Sequence, residues 1–277
     1  MNKHYVSIIA IIITSAFLFS SCSSKMSNKK RITFDSIKVA RIEHLFGDKQ
    51  KPYCNLIINI AYPNLCDNAS LKDTLTKSIF AFCLGNEYSS LNPRNAIQKY
   101  INDYLSNYRK ELEPNFKQEA DSSVYQWYNY YRSIVGKVKY QQNDLLTYAM
   151  NFNEYTGGAH NMYATTYENF DLKQMRIIKL ADLFKPNYQN ELTAIIVHQL
   201  MVDHKVHSAD ELADKGYGAT GNIAPTENFY FDDKGMAFVY NIYEIAPYNV
   251  GIITVHVDFD KLKNIMEEKT FKSLGLI

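Results

Sequence analysis

The side chains best suited to chemistry fall in two short segments. The first is Tyr155-Thr156-Gly157-Gly158-Ala159-His160. A Gly-Gly pair between two alternating runs marks a tight turn, because glycine adopts positive φ without a steric penalty. The turn explains both glycines and leaves His160 unexplained. An imidazole at such a corner, flanked by Tyr155, Asn161 and Tyr163, could bind a ligand, a metal or a neighbouring carboxylate, with a purely structural role as the alternative. The second segment is Tyr243-Glu244-Ile245-Ala246-Pro247-Tyr248-Asn249-Val250-Gly251. Glu244 continues a face carrying Phe238, Tyr240 and Ile242, and a carboxylate on an apolar face needs a hydrogen-bond partner to offset its desolvation. His160 is one candidate and a backbone amide of the Pro247 turn another; a solvated sheet end is the alternative to both. Tyr155, Gly157, Gly158, His160, Tyr243, Glu244 and Tyr248 form the candidate ligand-binding set. A hydrolase acting on peptidoglycan or another glycan would use His160 and Glu244 as its acid–base pair.

Other constellations of catalysis are missing from the sequence. It contains no HExxH, Gly-x-Ser-x-Gly, P-loop or Cys-x-x-Cys. His204 and His207 sit three apart near the end of a helical stretch, but spacing supplies no third or fourth ligand, so no metal and no cofactor are expected. The 22 Tyr, 15 Phe and single Trp provide the amphipathic area that binding surfaces use, and a Tyr-rich core would give the same counts. Tyr125, Trp127, Tyr128, Tyr130 and Tyr131 are the densest cluster, explained by strand packing or by contact with a glycan or protein. The expectation is a binding module and not an enzyme.

The elements that must position these residues come in blocks. Residues 32–43 and 53–62 alternate as a pair of strands, the second with Cys54, Leu56, Ile58 and Ile60 on one face. Leu71, Leu75, Ile79, Phe82 and Cys83 recur at helical spacing, and a second helix starts at Pro93 and ends before Pro114. Strands return from Val124 through 134–140, 146–152 and 163–171. A helix over 188–204 then precedes a Gly-rich loop at Gly216, Gly218 and Gly221, and strands at 236–244 and 251–259 lead to a short terminal helix with Leu262, Ile265 and Met266. Strands in runs, without βαβ repetition, predict an α+β fold. It would have antiparallel sheets, helices packed on one side, and two intertwined subdomains over 32–120 and 121–277.

The N-terminus sets the compartment. Lys3 and His4 precede the apolar run from Val6 to Phe19, about 14 residues against the roughly 20 that a membrane-spanning helix needs. Phe19-Ser20-Ser21-Cys22 is similar to the box that ends bacterial lipoprotein signals, so residues 1–21 read as a cleaved signal peptide, Cys22 as the lipidated (palmitate-bearing) residue and 22–31 as a tether. Cleavage removes Lys3 and no acid, leaving 29 basic against 29 acidic side chains, a balance that argues against nucleic acid as a partner. Cys54, Cys66 and Cys83 would then lie in an oxidising compartment. A helix folding back over the 53–62 strand would bring Cys83 beside Cys54, the preferred bridge, with two buried free thiols as the alternative. The tether holds no acidic run, which favours a periplasm-facing position at the outer membrane.

Beyond these readings, the sequence resembles a family. The Gly-Gly-Ala-His corner, Asn169-Phe170-Asp171-Leu172, Leu180-Ala181-Asp182-Leu183-Phe184, and Phe238 to Gly251 with its Tyr-Glu-Ile-Ala-Pro-Tyr are similar to the domain of unknown function 3298, over about 125–268. Residues 32–120 resemble in plan the domain of unknown function 4163 that precedes it. Such pairs occur in bacterial envelope lipoproteins, beside the catalytic domain of PdaC-type peptidoglycan deacetylases, and as the lysozyme-binding ectodomain of the RsiV anti-sigma factor. The resemblance implies an extracytoplasmic recognition module whose partner is a cell-wall glycan or an envelope protein such as a muramidase. It carries over neither a deacetylase domain nor sigma-factor binding.

Overall fold

The computed structural model describes residues 32–116 and 122–277. The expected signal peptide, Cys22 and the tether lie outside the described residues. In chain order the elements begin with β1 (Ile32–His44), β2 (Tyr53–Cys66), α1 (Ala69–Leu84), α2 (Asn86–Ser89) and α3 (Pro93–Leu112). A 3₁₀ segment, Ser122–Tyr128, leads into β3 (Tyr130–Gln142), β4 (Leu145–Tyr155), β5 (Met162–Asp171) and β6 (Arg176–Ile177). Then follow α4 (Leu180–Leu183), α5 (Gln189–His204), α6 (Ala209–Asp214), β7 (Phe229–Phe231), β8 (Gly235–Tyr240), β9 (Ile253–Asp258), α7 (Phe259–Leu262) and α8 (Glu268–Leu274). The fold is α+β, with one sheet in the order β1 to β6 and a second in the order β7 to β9.

All pairings are antiparallel except that of β2 with β3. Parallel neighbours require a crossover, and α1 to α3 supply it. The alternation of β2 puts Cys54, Leu56, Ile58 and Ile60 under α1 and α3, whose Leu71, Leu75, Ile79, Ile97, Ile101 and Leu105 complete the first core. Both helices start where the sequence offers a cap: Asn68 accepts from the Leu71 N–H, and Asn92 accepts from the Asn95 N–H ahead of Pro93. The second core packs α5, α4, α7 and α8 against β7 to β9, and apart from Leu145 its buried members come from residues 178–274. The boundary expected at 120/121 therefore falls inside the first layer, because β1 and β2 share one sheet with β3 to β6.

Three local expectations differ from the structure. The segment after Val124 is the 3₁₀ turn 122–128, and the strand begins at Tyr130. β8 stops at Tyr240, because the Glu244 carboxylate accepts from the Asn241 N–H and the Asn241 carbonyl from the Glu244 N–H, which closes a turn. The Cys54–Cys83 bridge does not form: Cys54, Cys66 and Cys83 are all free. Cys83 lies against Gly136 and Cys54 pairs with Tyr130, so the two thiols sit six residues apart along β3, about 20 Å. The helix is too short for the pairing: at about 1.5 Å per residue the stretch from Ala69 to Cys83 returns roughly 21 Å, whereas Cys54 lies about 40 Å back along β2 from Cys66. Burial pushes both thiols up to about 12, so they stay protonated.

The helix-covered face of β5 holds an unusual pair. Thr166 Oγ1 and Glu168 Oε2 are buried with no hydrogen-bond partner among the described residues. Burial pushes the Glu168 carboxyl up to about 7, with Lys179 opposing it. A carboxyl whose pKa is raised on folding binds its proton more tightly in the folded state. Its contribution is full below the unfolded pKa near 4.5 and is lost as pH rises through about 7. Stability should therefore fall by roughly 1–3 kcal/mol between about pH 5 and pH 8. In urea melts across that range Glu168→Gln should flatten this slope and be the more stable protein at pH 8; an unchanged slope would show that Glu168 is not the titrating group.

Candidate functional site

The β4–β5 hairpin and the β8–β9 connector, far apart in sequence, meet at one corner. Gly157 and Gly158 have φ of +90° and +100°, which L side chains rarely adopt. A Cβ on Gly157 would sit 2.9 Å from the carbonyl oxygen of Trp127, so the glycine also lets the 122–128 turn come up against the hairpin. The Tyr155 hydroxyl donates to the Gly158 carbonyl at 3.1 Å and steadies the loop. From this corner His160 projects into solvent and stacks on Tyr248, with ring centroids 3.9 Å apart and planes 20° from parallel. Its Nε2 lies 3.2 Å from the Tyr243 hydroxyl. Tyr163 meets Tyr248 edge-on at 5.7 Å, an arrangement in which the ring edge faces the negative π face.

Polar bonds fix the aromatic group from behind. The Tyr248 hydroxyl donates to the Asn161 carbonyl at 3.0 Å and also lies 3.2 Å from its Oδ1, and the Asn161 amide donates to Asn153 Oδ1 at 2.7 Å. Desolvation and the neighbouring Tyr163 and Tyr243 push the Tyr248 hydroxyl above its usual range, so it remains a donor at neutral pH. Tyr243 has φ +68°, a strained value for a side chain of its size, and is 43% exposed; Trp127 across the Gly157 junction is 54% exposed. Exposed large rings held in strained or tightly braced backbone are candidates for function.

Of the residues singled out from sequence, His160, Tyr243 and Tyr248 touch, and Tyr155, Gly157 and Gly158 build the loop beside them. Glu244 does not join them. Its side chain is exposed and bonded to the Asn241 N–H at 2.9 Å, and no interaction links it to His160 among the described residues. His204 and His207 also part: His204 Nε2 lies 2.7 Å from the Tyr217 hydroxyl, whereas His207 gives its backbone N–H to Glu211. Sequence reasoning missed that the Trp127 carbonyl packs against the hairpin at Gly157. The only trace of that proximity in the sequence is the glycine at 157, which admits the Trp127 carbonyl.

On the opposite face of the sheet, at the same strand ends, Arg132 is locked in place. Its guanidinium bonds Glu154, donates to the Tyr100 hydroxyl at 2.7 Å and lies 4.1 Å over the Tyr104 ring. The network ties α3 to the strands that carry the hairpin.

Comparison with known proteins places this arrangement. A crystal structure of a DUF3298 family member from Bacteroides fragilis superimposes with a TM-score of 0.84 and 40% identity, over 90% of this chain and 98% of that one. The chain belongs to the DUF3298 family. The model of the family, described as "Protein of unknown function (DUF3298)", matches residues 181–260, and a second model, "Deacetylase PdaC", matches residues 48–163. The aromatic corner thus joins His160 of the PdaC-type region to Tyr243 and Tyr248 of the DUF3298 region. A DUF3298 family protein from Pseudomonas aeruginosa shares the fold at a TM-score of 0.63 and 15% identity, over 87% of this chain and 97% of that one. The peptidoglycan-N-acetylmuramic acid deacetylase PdaC of Bacillus subtilis is 25% identical over 131 residues, 44% of this chain. The chain spans about a quarter of that relative's length (27%). These PdaC-type matches overturn the expectation that the chain is not an enzyme. The chain carries cell-envelope-related domains of DUF3298 and PdaC type. Among the described residues no helix is long and apolar enough to cross a membrane.

Proposed function

We propose that this DUF3298 protein holds cell-wall glycan at the aromatic corner formed by His160, Tyr243 and Tyr248. The observation that carries the proposal is the stack of His160 on Tyr248 at 3.9 Å, beside the exposed ring of Tyr243, at the meeting of two loops. A pyranose ring presents an apolar C–H face that packs on an aromatic ring, while its hydroxyl and acetamido groups need donors and acceptors close by. Tyr243, Asn161 and the Gly157–Gly158 backbone offer these. The PdaC-type match supports peptidoglycan as the source of the glycan. Export and a lipid on Cys22 would hold the domain in the envelope, next to that polymer.

The same match favours a second reading, in which the bound N-acetylhexosamine is also processed. His160 is then the group placed to move a proton, since Glu244 is engaged by Asn241. Acetate or reducing ends released from sacculi by the purified chain, and lost in His160→Ala, would distinguish processing from binding alone.

Binding is tested by co-sedimentation with purified peptidoglycan sacculi. Each ring contact contributes roughly 0.5–1.5 kcal/mol, so Tyr248→Ala combined with His160→Ala should lower the retained affinity tenfold or more. Equal retention of variant and parent would remove the corner from the account.

A further inference from the structure

Beyond the aromatic corner, the six-stranded sheet leaves part of its second face open to solvent; the end of that face around Leu145, Thr147, Ala149 and Asn169 is buried, with Asn169 bonded to the Phe229 carbonyl of β7. The sheet's other face is covered by α1 and α3, where Ile37, Val39, Gly136 and Val138 pack. Lys38 and Lys137 alternate with these residues, so they stand on the open face, and both are exposed. Strand register sets the rows of this face. One row runs Ile42, Asn55, Tyr131, Tyr155; the next Ala40, Ile57, Ser133, Asn153, Tyr163; a third Lys38, Asn59, Val135, Asn151, Thr165. Lys137 stands at the limit of the open part, beside Ala149, which is buried, and Tyr167, which is covered by Tyr230 of β7 at 4.8 Å between ring centroids. Among the described residues, no Asp or Glu occupies these rows, in a chain whose acids and bases nearly balance. The face is rich in amides and tyrosines and bears positive charge only. Five strands at about 4.8 Å give it a width of roughly 19 Å, and the first two rows end at the corner that carries His160.

We infer that this open face takes a carboxylate-bearing glycan strand, with Lys38 and Lys137 selecting its negative charge. The inference rests on the glycan reading above and adds the charge class of the ligand. Asn55, Asn59 and Asn151 can each give and accept hydrogen bonds, as a polymer of hydroxyl and acetamido groups requires. The lysines supply the component that distinguishes an anionic polymer from a neutral one of the same length. Because both lysines are solvated, that component is screened by salt.

The test compares two soluble tetrasaccharides by titration calorimetry on the full chain: alternating N-acetylglucosamine and N-acetylmuramic acid, which carries carboxylates, and neutral N-acetylglucosamine alone. The parent should prefer the acidic oligomer by about fivefold at low salt, and less at high salt. Lys38→Gln with Lys137→Gln should erase the preference and leave neutral binding unchanged, and Lys38→Arg with Lys137→Arg should retain it. Equal affinity of the parent for the two oligomers, or a preference that survives in the double Gln variant, overturns the inference while the aromatic corner stands. Failure of both oligomers to bind the parent overturns this inference and the glycan reading together.

Discussion

Gly235→Ala should destabilise the second subdomain by about 3 kcal/mol or more, seen as an early urea transition. A Cβ at Gly235 would sit 2.8 Å from the Val257 carbonyl carbon and 2.9 Å from Asp258 Cα, with the Val257 carbonyl oxygen closer still. Both are backbone of β9, so no side-chain rotation relieves the clash. Relief requires β8 and β9 to part, and their pairing from Gly235 with Asp258 to Tyr240 with Ile253 carries Met236, Phe238, Val255 and Val257 into the core. The turn before it cannot shift freely either, because Asp232 Oδ1 accepts the N–H groups of Lys234 and Gly235. A variant that melts with the parent would mean that the two strands are not in the register described.

Asn228→Ala should cost roughly 3 kcal/mol, because one amide there acts as a missing strand. β6 pairs with β5 only at Phe170 and Asp171, which leaves the β5 edge open upstream. Asn228 fills the gap: its Oδ1 accepts from the Tyr167 N–H at 2.9 Å, and its Nδ2 donates to the carbonyls of Thr165 at 2.9 Å and Val239 at 3.0 Å. Asn241 adds a bond from the Thr165 N–H at 2.8 Å, and Asn169 one to the Phe229 carbonyl at 2.7 Å. Together these amides join the two sheets. Alanine leaves three backbone groups in need of water they reach only in part. Asn228→Asp keeps the acceptor and loses both donors, so it should also be destabilised. Hydrogen exchange at the Tyr167 amide should quicken in Asn228→Ala; unchanged protection would mean that another group holds the β5 edge.

What was legible in the sequence was local. The alternation of Cys54, Leu56, Ile58 and Ile60 and the helical stripe from Leu71 to Cys83 read correctly, since period and burial depend on near neighbours. The Gly157–Gly158 corner was visible because positive φ has so few residues to choose from. Glu244 was misplaced because the pattern Phe238, Tyr240, Ile242 carries on smoothly past the true end of β8. What ends the strand is the Asn241–Glu244 turn, closed by hydrogen bonds that the alternation does not announce. The Cys54–Cys83 expectation failed because a helix rises about 1.5 Å per residue against about 3.3 Å in a strand, so the fold-back from Cys66 ends well short of Cys54. The amides of Asn228, Asn241 and Asn169 look like loop residues in the sequence, and only the meeting of two sheets gives them partners. The same holds for Trp127, whose carbonyl meets Gly157 in a hairpin about 30 residues further on.

Trp127 is the single tryptophan of the chain, 54% exposed and joined to the hairpin of the corner through its carbonyl at Gly157, so its fluorescence reports on changes at the corner without labelling. Titration with soluble peptidoglycan glycan fragments should give a saturable change in its emission, and Tyr248→Ala should shift that curve about two- to tenfold to higher concentration. Emission that stays constant through concentrations at which fragments compete the chain off sacculi, or an identical curve in Tyr248→Ala, would contradict glycan recognition at this corner.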